Sequence, residues 1–183
     1  TTLVTRSPVH VDFGACGKGY LLDLLAGMLR GDRRRTRQSA HDDRQYVIDA
    51  GGDMLIRTVE PITIALEDPS DPANAVGLAE LNRGAFCASS PSRRHWSDAA
   101  GHQLHHLLNA IDGLPVDDVA ATWVAVMPHA ASLSTALADG LATALFTTSA
   151  TQLRAHFPFE CAILNANRTA AQSPNFPGGF FTH

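Results

Sequence analysis

Lysine is nearly missing from this sequence: 13 of its 14 basic residues are arginine, and Lys18 is the single lysine. The bias itself reflects genomic composition and implies no function. It does single out Lys18, which lies between two glycines. Cysteine is also scarce. Cys16, Cys87 and Cys161 are odd in number, far apart and free of CxxC spacing, which argues against a disulfide framework or a zinc knuckle. Each has apolar neighbours and reads as a small buried hydrophobe. There is no basic excess: the net charge of −4 gives neither a nucleic-acid footprint nor a polybasic membrane anchor. No apolar run reaches the ~18 residues of a transmembrane helix. Thr1–His10 holds no apolar leader core, so the chain is expected to be soluble, in a compartment the sequence does not fix.

What is present is core material. Hydrophobic residues make up 45% of 183 residues and charged residues 17%, which suits one packed unit over residues 1–183. Residues 9–13 read as a short strand and Gly14–Gly19 as a turn. Tyr20–Arg30 reads as a helix whose apolar stripe runs through Leu21, Leu22, Leu24, Leu25, Met28 and Leu29. Residues 31–45 are polar and read as a solvated loop. Strands follow at 46–50 and 53–56 around Gly51-Gly52, then at 62–67, 76–82 and 85–89, with a loop at Asp68–Pro72. Residues 90–103 read as a polar loop, 104–109 as a short apolar segment and Asp112–Pro115 as a turn. Thr122–Met127 is a buried strand, Ser132–Phe146 a second helix and Phe159–Leu164 a last strand, before a mostly irregular end. Strand runs broken by two helices predict an α+β fold with a mixed or antiparallel sheet.

Four features could carry chemistry. The glycine-rich turn Asp12–Gly19 precedes a helix N-terminus, which favours anions; it is not a Walker A loop, because Gly19 stands where Ser or Thr is needed. Asp139 and Thr143 lie i, i+4 on one face of an otherwise apolar helix and offer hard oxygens suited to Mg²⁺ or Ca²⁺. A lone acid there is costly to bury without a partner. His95, His102, His105 and His106 cluster in a polar segment where solvent exposure is the commoner outcome. His106 opens an apolar run and could position a substrate or move a proton. Glu67 and Asp68 end a strand, where they cap the loop or reach ribose hydroxyls or adenine amines.

Taken in order, these segments resemble the ApbE family of FAD:protein FMN transferases. Asp12-Phe13-Gly14-Ala15-Cys16-Gly17-Lys18-Gly19-Tyr20 is similar to the family's Asp-Leu-Gly-Gly-Ile-Ala-Lys-Gly-Tyr, with Asp23 at the next acid. Asp49-Ala50-Gly51-Gly52-Asp53 resembles Asn-Ala-Gly-Gly-Asp, and Ile64–Pro69 resembles a strand end of Ile-Glu-Asp-Pro type. His106–Asn109 is similar to His-Ile-Ile-Asp, and Ala138–Ala144 to Ala-Asp-Ala-Leu-Ala-Thr-Ala. The resemblance covers about residues 11–149 and implies an ApbE-like architecture related to the T-fold. It implies FAD as substrate with Mg²⁺ at its pyrophosphate, the metal held by Asp139, Thr143 and the Gly17 carbonyl. It implies flavin-nucleotide contacts from Gly17, Lys18, Asp23, Gly51, Gly52, Asp53, Glu67, Asp68 and His106, with Asp139 and His106 catalytic. The implied activity is transfer of FMN to a Thr or Ser of an acceptor flavoprotein with release of AMP. The alternatives are hydrolysis of FAD to FMN and AMP, or FAD binding without turnover.

The departures are specific. Eleven residues precede Asp12 where the family carries a substantial segment, so a homodimer that completes the cleft is one expectation. Ala88-Ser89-Ser90 replaces the family's Thr-Ser-Gly, and Ala110 stands at a family proline. Family members are often periplasmic or membrane-anchored. No lipobox is seen here, which fits a cytoplasmic location.

Overall fold

The computed structural model describes residues 2, 4–31, 44–128 and 132–182. The loop expected over 31–45 falls mostly outside them. Helix α1 spans Gly17–Gly31. Strands β1 (Tyr46–Asp49), β2 (Asp53–Asp68) and β3 (Asp71–Ser89) form consecutive antiparallel hairpins. The short strands β4 (His95–Ser97) and β5 (Gln103–His105) pair with each other. Then come β6 (Val119–Val126), α2 (Ser134–Ala144), α3 (Ala150–Arg154), β7 (Glu160–Asn165), β8 (Ala170–Gln172) and β9 (Gly178–Phe180). The main sheet runs β1-β2-β3-β6-β7-β8, with β9 added to β3, and every pairing in it is antiparallel. The fold is α+β, as the alternation of strand runs and two main helices implied.

Strand β6 explains the layering. Antiparallel strands commonly have one wet face, but here both faces are covered, so the inner stretch of β6 is apolar on each side. Val124 and Val126 pack with Leu22, Ala26, Ala138, Leu141 and Ala142 of the helices. Trp123 and Ala125 face the other way, against Ile56, Leu66, Ala79, Leu81 and Phe176. That second core exists because the long β2–β3 hairpin breaks register between Arg57 and Ile62, at Pro61, and its outer half packs on the sheet's other face.

Several expectations are corrected here. Residues 9–13 are not a strand: Val9, Val11 and Phe13 are exposed, and among the described residues no strand pairs with this segment. The three segments expected at 62–67, 76–82 and 85–89 are parts of two long strands, β2 and β3. The polar loop at 90–103 contains β4 and the start of β5, and the C-terminal stretch contributes β8 and β9. The apolar stripe on α1 also differs. Leu22 and Ala26 are buried, but Leu21, Leu24, Leu25, Met28 and Leu29 are exposed. The helix packs through a narrow face of Gly19, Leu22, Asp23 and Ala26, and at Gly19 the α2 backbone leaves no room for a side chain. Cys87 and Cys161 are buried as expected, whereas Cys16 is only partly covered. No helix among the described residues is long and apolar enough to cross a membrane.

Candidate functional site

The site is built where the N-terminus of α1 meets one face of α2. Thr135, Asp139 and Thr143 recur every four residues and form a single stripe along α2. At the first residue of this stripe the helices nearly touch. A side chain at Gly19 would place its Cβ 2.3 Å from the Thr135 carbonyl oxygen. That approach lets the Gly19 amide donate to Asp139 Oδ2 at 2.9 Å, in a buried bond. Among the described residues no hydrogen bond reaches Asp139 Oδ1. One turn further, Thr143 Oγ1 lies 3.3 Å from Ser89 Oγ at the end of β3. The adjacent turn between β1 and β2 is shaped by Gly51 and Gly52, at φ of 73° and 100°, a backbone region that side chains disfavour. It is tied to β3 by the Ala88 amide, which donates to the Gly52 carbonyl.

Asp53 starts β2 behind this turn and is fully buried. Lys18 Nζ lies 2.6 Å from its Oδ2 and also reaches the Gly51 carbonyl at 3.5 Å. The Lys18 contact is an ion pair without hydrogen-bond alignment, and Asp53 Oδ1 has no donor. The single lysine of the chain is thus the cation paired with this buried carboxylate. Removing one partner of such a pair leaves an uncompensated charge. Because half of Lys18 is in solvent, Lys18→Ala is expected to cost about 2 kcal/mol. Urea denaturation checks this, and an unchanged midpoint would show that the pair contributes nothing. The double variant Lys18→Ala/Asp53→Asn should regain most of the loss.

The cluster is electrostatically coupled. Burial pushes the Asp139 carboxyl up to about 6; the Gly19 amide opposes this, Asp53 adds to it and Lys18 opposes it. Burial, reinforced by Asp53 and Asp139, pushes the Cys87 thiol well up, so it stays protonated. The sign for stability follows directly. Asp139 is harder to ionise folded than unfolded, where its pKa is near 3.8. Its contribution is fully present below that value and is lost as pH rises through about 6. Stability should fall across that window and flatten above it. Asp139→Asn should abolish that slope in a series of denaturation curves; persistence of the slope would move its source elsewhere.

The other sequence-named residues sit differently. Asp23 does not face an open cleft: its two oxygens accept from the amides of Thr135 and Ala136 and from Thr135 Oγ1, at 2.9–3.2 Å. Asp53 lines nothing directly, being wholly covered. Glu67 pairs with Arg93 at 2.5 Å. Asp68 takes a two-pronged bond from Arg168 at 2.8 and 2.7 Å, which holds its carboxyl well below the usual range. His106 follows β5 and is exposed, with Nδ1 at 3.5 Å from the Arg94 carbonyl; burial of part of the ring lowers its pKa. No hydrogen bond or ion pair links His106 to Asp139. The partners Thr135 and Gly19 were not singled out beforehand. The signal for Thr135 was its i−4 spacing from Asp139.

The donor set is oxygen-rich, with Asp139 and Thr143 side by side and Asp53 behind. Among the described residues no three His, Cys, Asp or Glu side chains converge as a complete metal cage. One or two carboxylates with a hydroxyl suit Mg²⁺, which keeps waters and substrate phosphates in its shell.

An antiparallel sheet carrying two packed helices, with a carboxylate of one accepting from an amide of the other, is the class of fold and site seen here. Residues 2–158 match the ApbE family, and the chain belongs to that family. It is 25% identical over 142 residues to the FAD:protein FMN transferase of Salmonella typhimurium, covering 75% of this chain and 36% of that protein. It is 24% identical over 126 residues to the protein of the same name from Escherichia coli K12, covering 67% and 33%. The chain thus spans about a third of the length of these curated relatives. Among solved structures, the ApbE protein of Thermotoga maritima superposes with a TM-score of 0.73 at 21% identity, over 90% of this chain and 51% of that one. The apo flavinyl transferase ApbE of Pseudomonas stutzeri gives 0.62 at 20% identity, over 90% and 49%. These likenesses establish the fold.

Proposed function

We propose that residues 1–183 form one FAD-binding unit that transfers the FMN moiety of FAD to a Thr or Ser hydroxyl of an acceptor protein, releasing AMP, with Mg²⁺. The observation that carries this reading is the stripe on α2, where Asp139 keeps one carboxylate oxygen without a donor among the described residues, one turn from the Thr143 hydroxyl. Both are proposed metal ligands, with the Gly17 carbonyl as a third. When bound, Mg²⁺ would neutralise charge on the pyrophosphate and polarise the attacked phosphorus. The N-terminus of α1 and the Lys18 ammonium add positive potential on the same side. Gly51 and Gly52 let the backbone approach the flavin closely. His106, held neutral by its lowered pKa, accepts the proton of the attacking hydroxyl. The new bond joins that oxygen to phosphorus, the pyrophosphate bond breaks in line, and AMP carries away the bridging oxygen. Asp23 and Asp53 support this site from behind rather than touching the nucleotide, and Glu67 and Asp68 reach it only by exchanging their arginine partners.

The test is incubation with FAD, with and without Mg²⁺, in the presence of acceptor proteins, followed by chromatography and a denaturing gel. AMP formed only with Mg²⁺, with flavin fluorescence on protein, is the expected result. AMP with free FMN alone would replace transfer by hydrolysis. FAD bound without AMP would overturn the enzymatic reading. His106→Ala should lower turnover by about a hundredfold with the fold intact, the usual weight of a general base. An unchanged rate and FAD affinity would make it a structural residue.

A further inference from the structure

Helix α2 does not supply its own N-terminal cap. No acid stands in the first turn of α1 or α2, and Leu133, the N-cap of α2, makes no side-chain bond. Orphan amides at both ends need acceptors. Each helix takes its acceptor from the other: Asp23 on α1 receives the first-turn amides of α2, and Asp139 on α2 receives the Gly19 amide in the first turn of α1. Gly19 and Asp23 are one turn apart on α1; Thr135 and Asp139 are one turn apart on α2. The four positions form a closed ring, two sides covalent and two hydrogen-bonded. All of it is buried, with Asp23 8%, Thr135 0% and Asp139 5% exposed.

We propose that Asp23 is a positioning residue that sets the rotation and register of α2, and so the direction in which Asp139 and Thr143 face. The inference rests on the reading of those two residues as the metal pair. A helix residue turns 100° per position, so a slip of one residue would turn both ligands away from the α1 N-terminus. Three charge-assisted bonds from Asp23 to the first turn of α2 oppose that slip. Asp139 offers less resistance, because it holds α1 through a single bond, from the Gly19 amide.

The experiment compares wild type, Asp23→Ala, Asp23→Asn and Leu164→Ala, the last a destabilising change in the opposite core. Two readouts avoid turnover: exchange of the Gly19 amide by NMR, and affinity for Mn²⁺ as a paramagnetic substitute for Mg²⁺. In Asp23→Ala, Gly19 exchange should speed up at least about tenfold relative to Val124, matching a lost cap. Mn²⁺ affinity should fall by a similar factor. Asp23→Asn, which keeps one acceptor oxygen, should recover part of both, and Leu164→Ala should change neither. Equal Gly19 protection in Asp23→Ala and Leu164→Ala would overturn the proposal. Wild-type protein that binds no Mn²⁺ would instead strike down the metal reading of Asp139, and the exchange data would still decide whether Asp23 positions it.

Discussion

Asp139→Ala is expected to abolish Mg²⁺-dependent release of AMP from FAD, with a loss of about a thousandfold or more. A metal ligand contributes several kcal/mol of charge stabilisation, and each 1.36 kcal/mol is a decade in rate. The alanine variant also loses the acceptor of the Gly19 amide, so activity alone would not separate chemistry from packing. Asp139→Asn does separate them. Its amide oxygen can still accept from Gly19, and it removes a carboxyl that burial already disfavours in its charged form. That variant should melt at or above the wild-type temperature and still fail to release AMP. Wild-type AMP release from Asp139→Asn, with the Mg²⁺ requirement intact, would remove Asp139 from the metal site.

Gly19→Ala should be the most damaging small substitution in the molecule's site. Alanine is ordinarily better than glycine inside a helix by about 1 kcal/mol, so the sign of the effect is itself informative. The added carbon would lie 2.3 Å from the Thr135 oxygen, 2.6 Å from its carbonyl carbon and 2.8 Å from the Ala136 nitrogen. All three are backbone atoms of α2, which cannot swing aside as a side chain can. The helices must separate, at about 3 kcal/mol or more. For a chain of this size that corresponds to a drop of about 10 °C in melting temperature. Gly27→Ala, on the same helix, meets nothing within 4 Å and serves as the control; it should be neutral or slightly stabilising. Equal melting temperatures for the two variants would refute the close approach of α1 and α2.

The same pair of helices shows what could be read from the chain and what could not. Periodicity identified both helices and β6, and i, i+4 spacing put Asp139 and Thr143 on one face, because these signals lie within a few residues of each other. Gly51-Gly52 marked the first hairpin for the same local reason. The buried face of α1 was not legible. The apolar residues outnumber the small ones, yet the packed face is the one that offers Gly19 and Ala26 to a close neighbour. The bond between Asp23 and Thr135 was equally illegible, because the two lie 112 residues apart. Likewise Asp68 is claimed by Arg168, 100 residues on. Length of strand was misjudged for a different reason: Pro61 and the register break beside it interrupt the alternation of β2 without ending the strand.

The crossed caps also dictate an order of assembly. As the chain leaves the ribosome, α1 emerges before the sheet it packs on, but a fifteen-residue helix is marginal by itself in water. Its Gly19 amide waits for a carboxylate 120 residues downstream, and Asp23 waits nearly as long for the amides it will receive. Everything between them, including the whole β1–β3 meander and β6, is synthesised in the interval. Helix α1 is thus made before the sheet but completed only with α2, and their closure is one event, since each finishes the other.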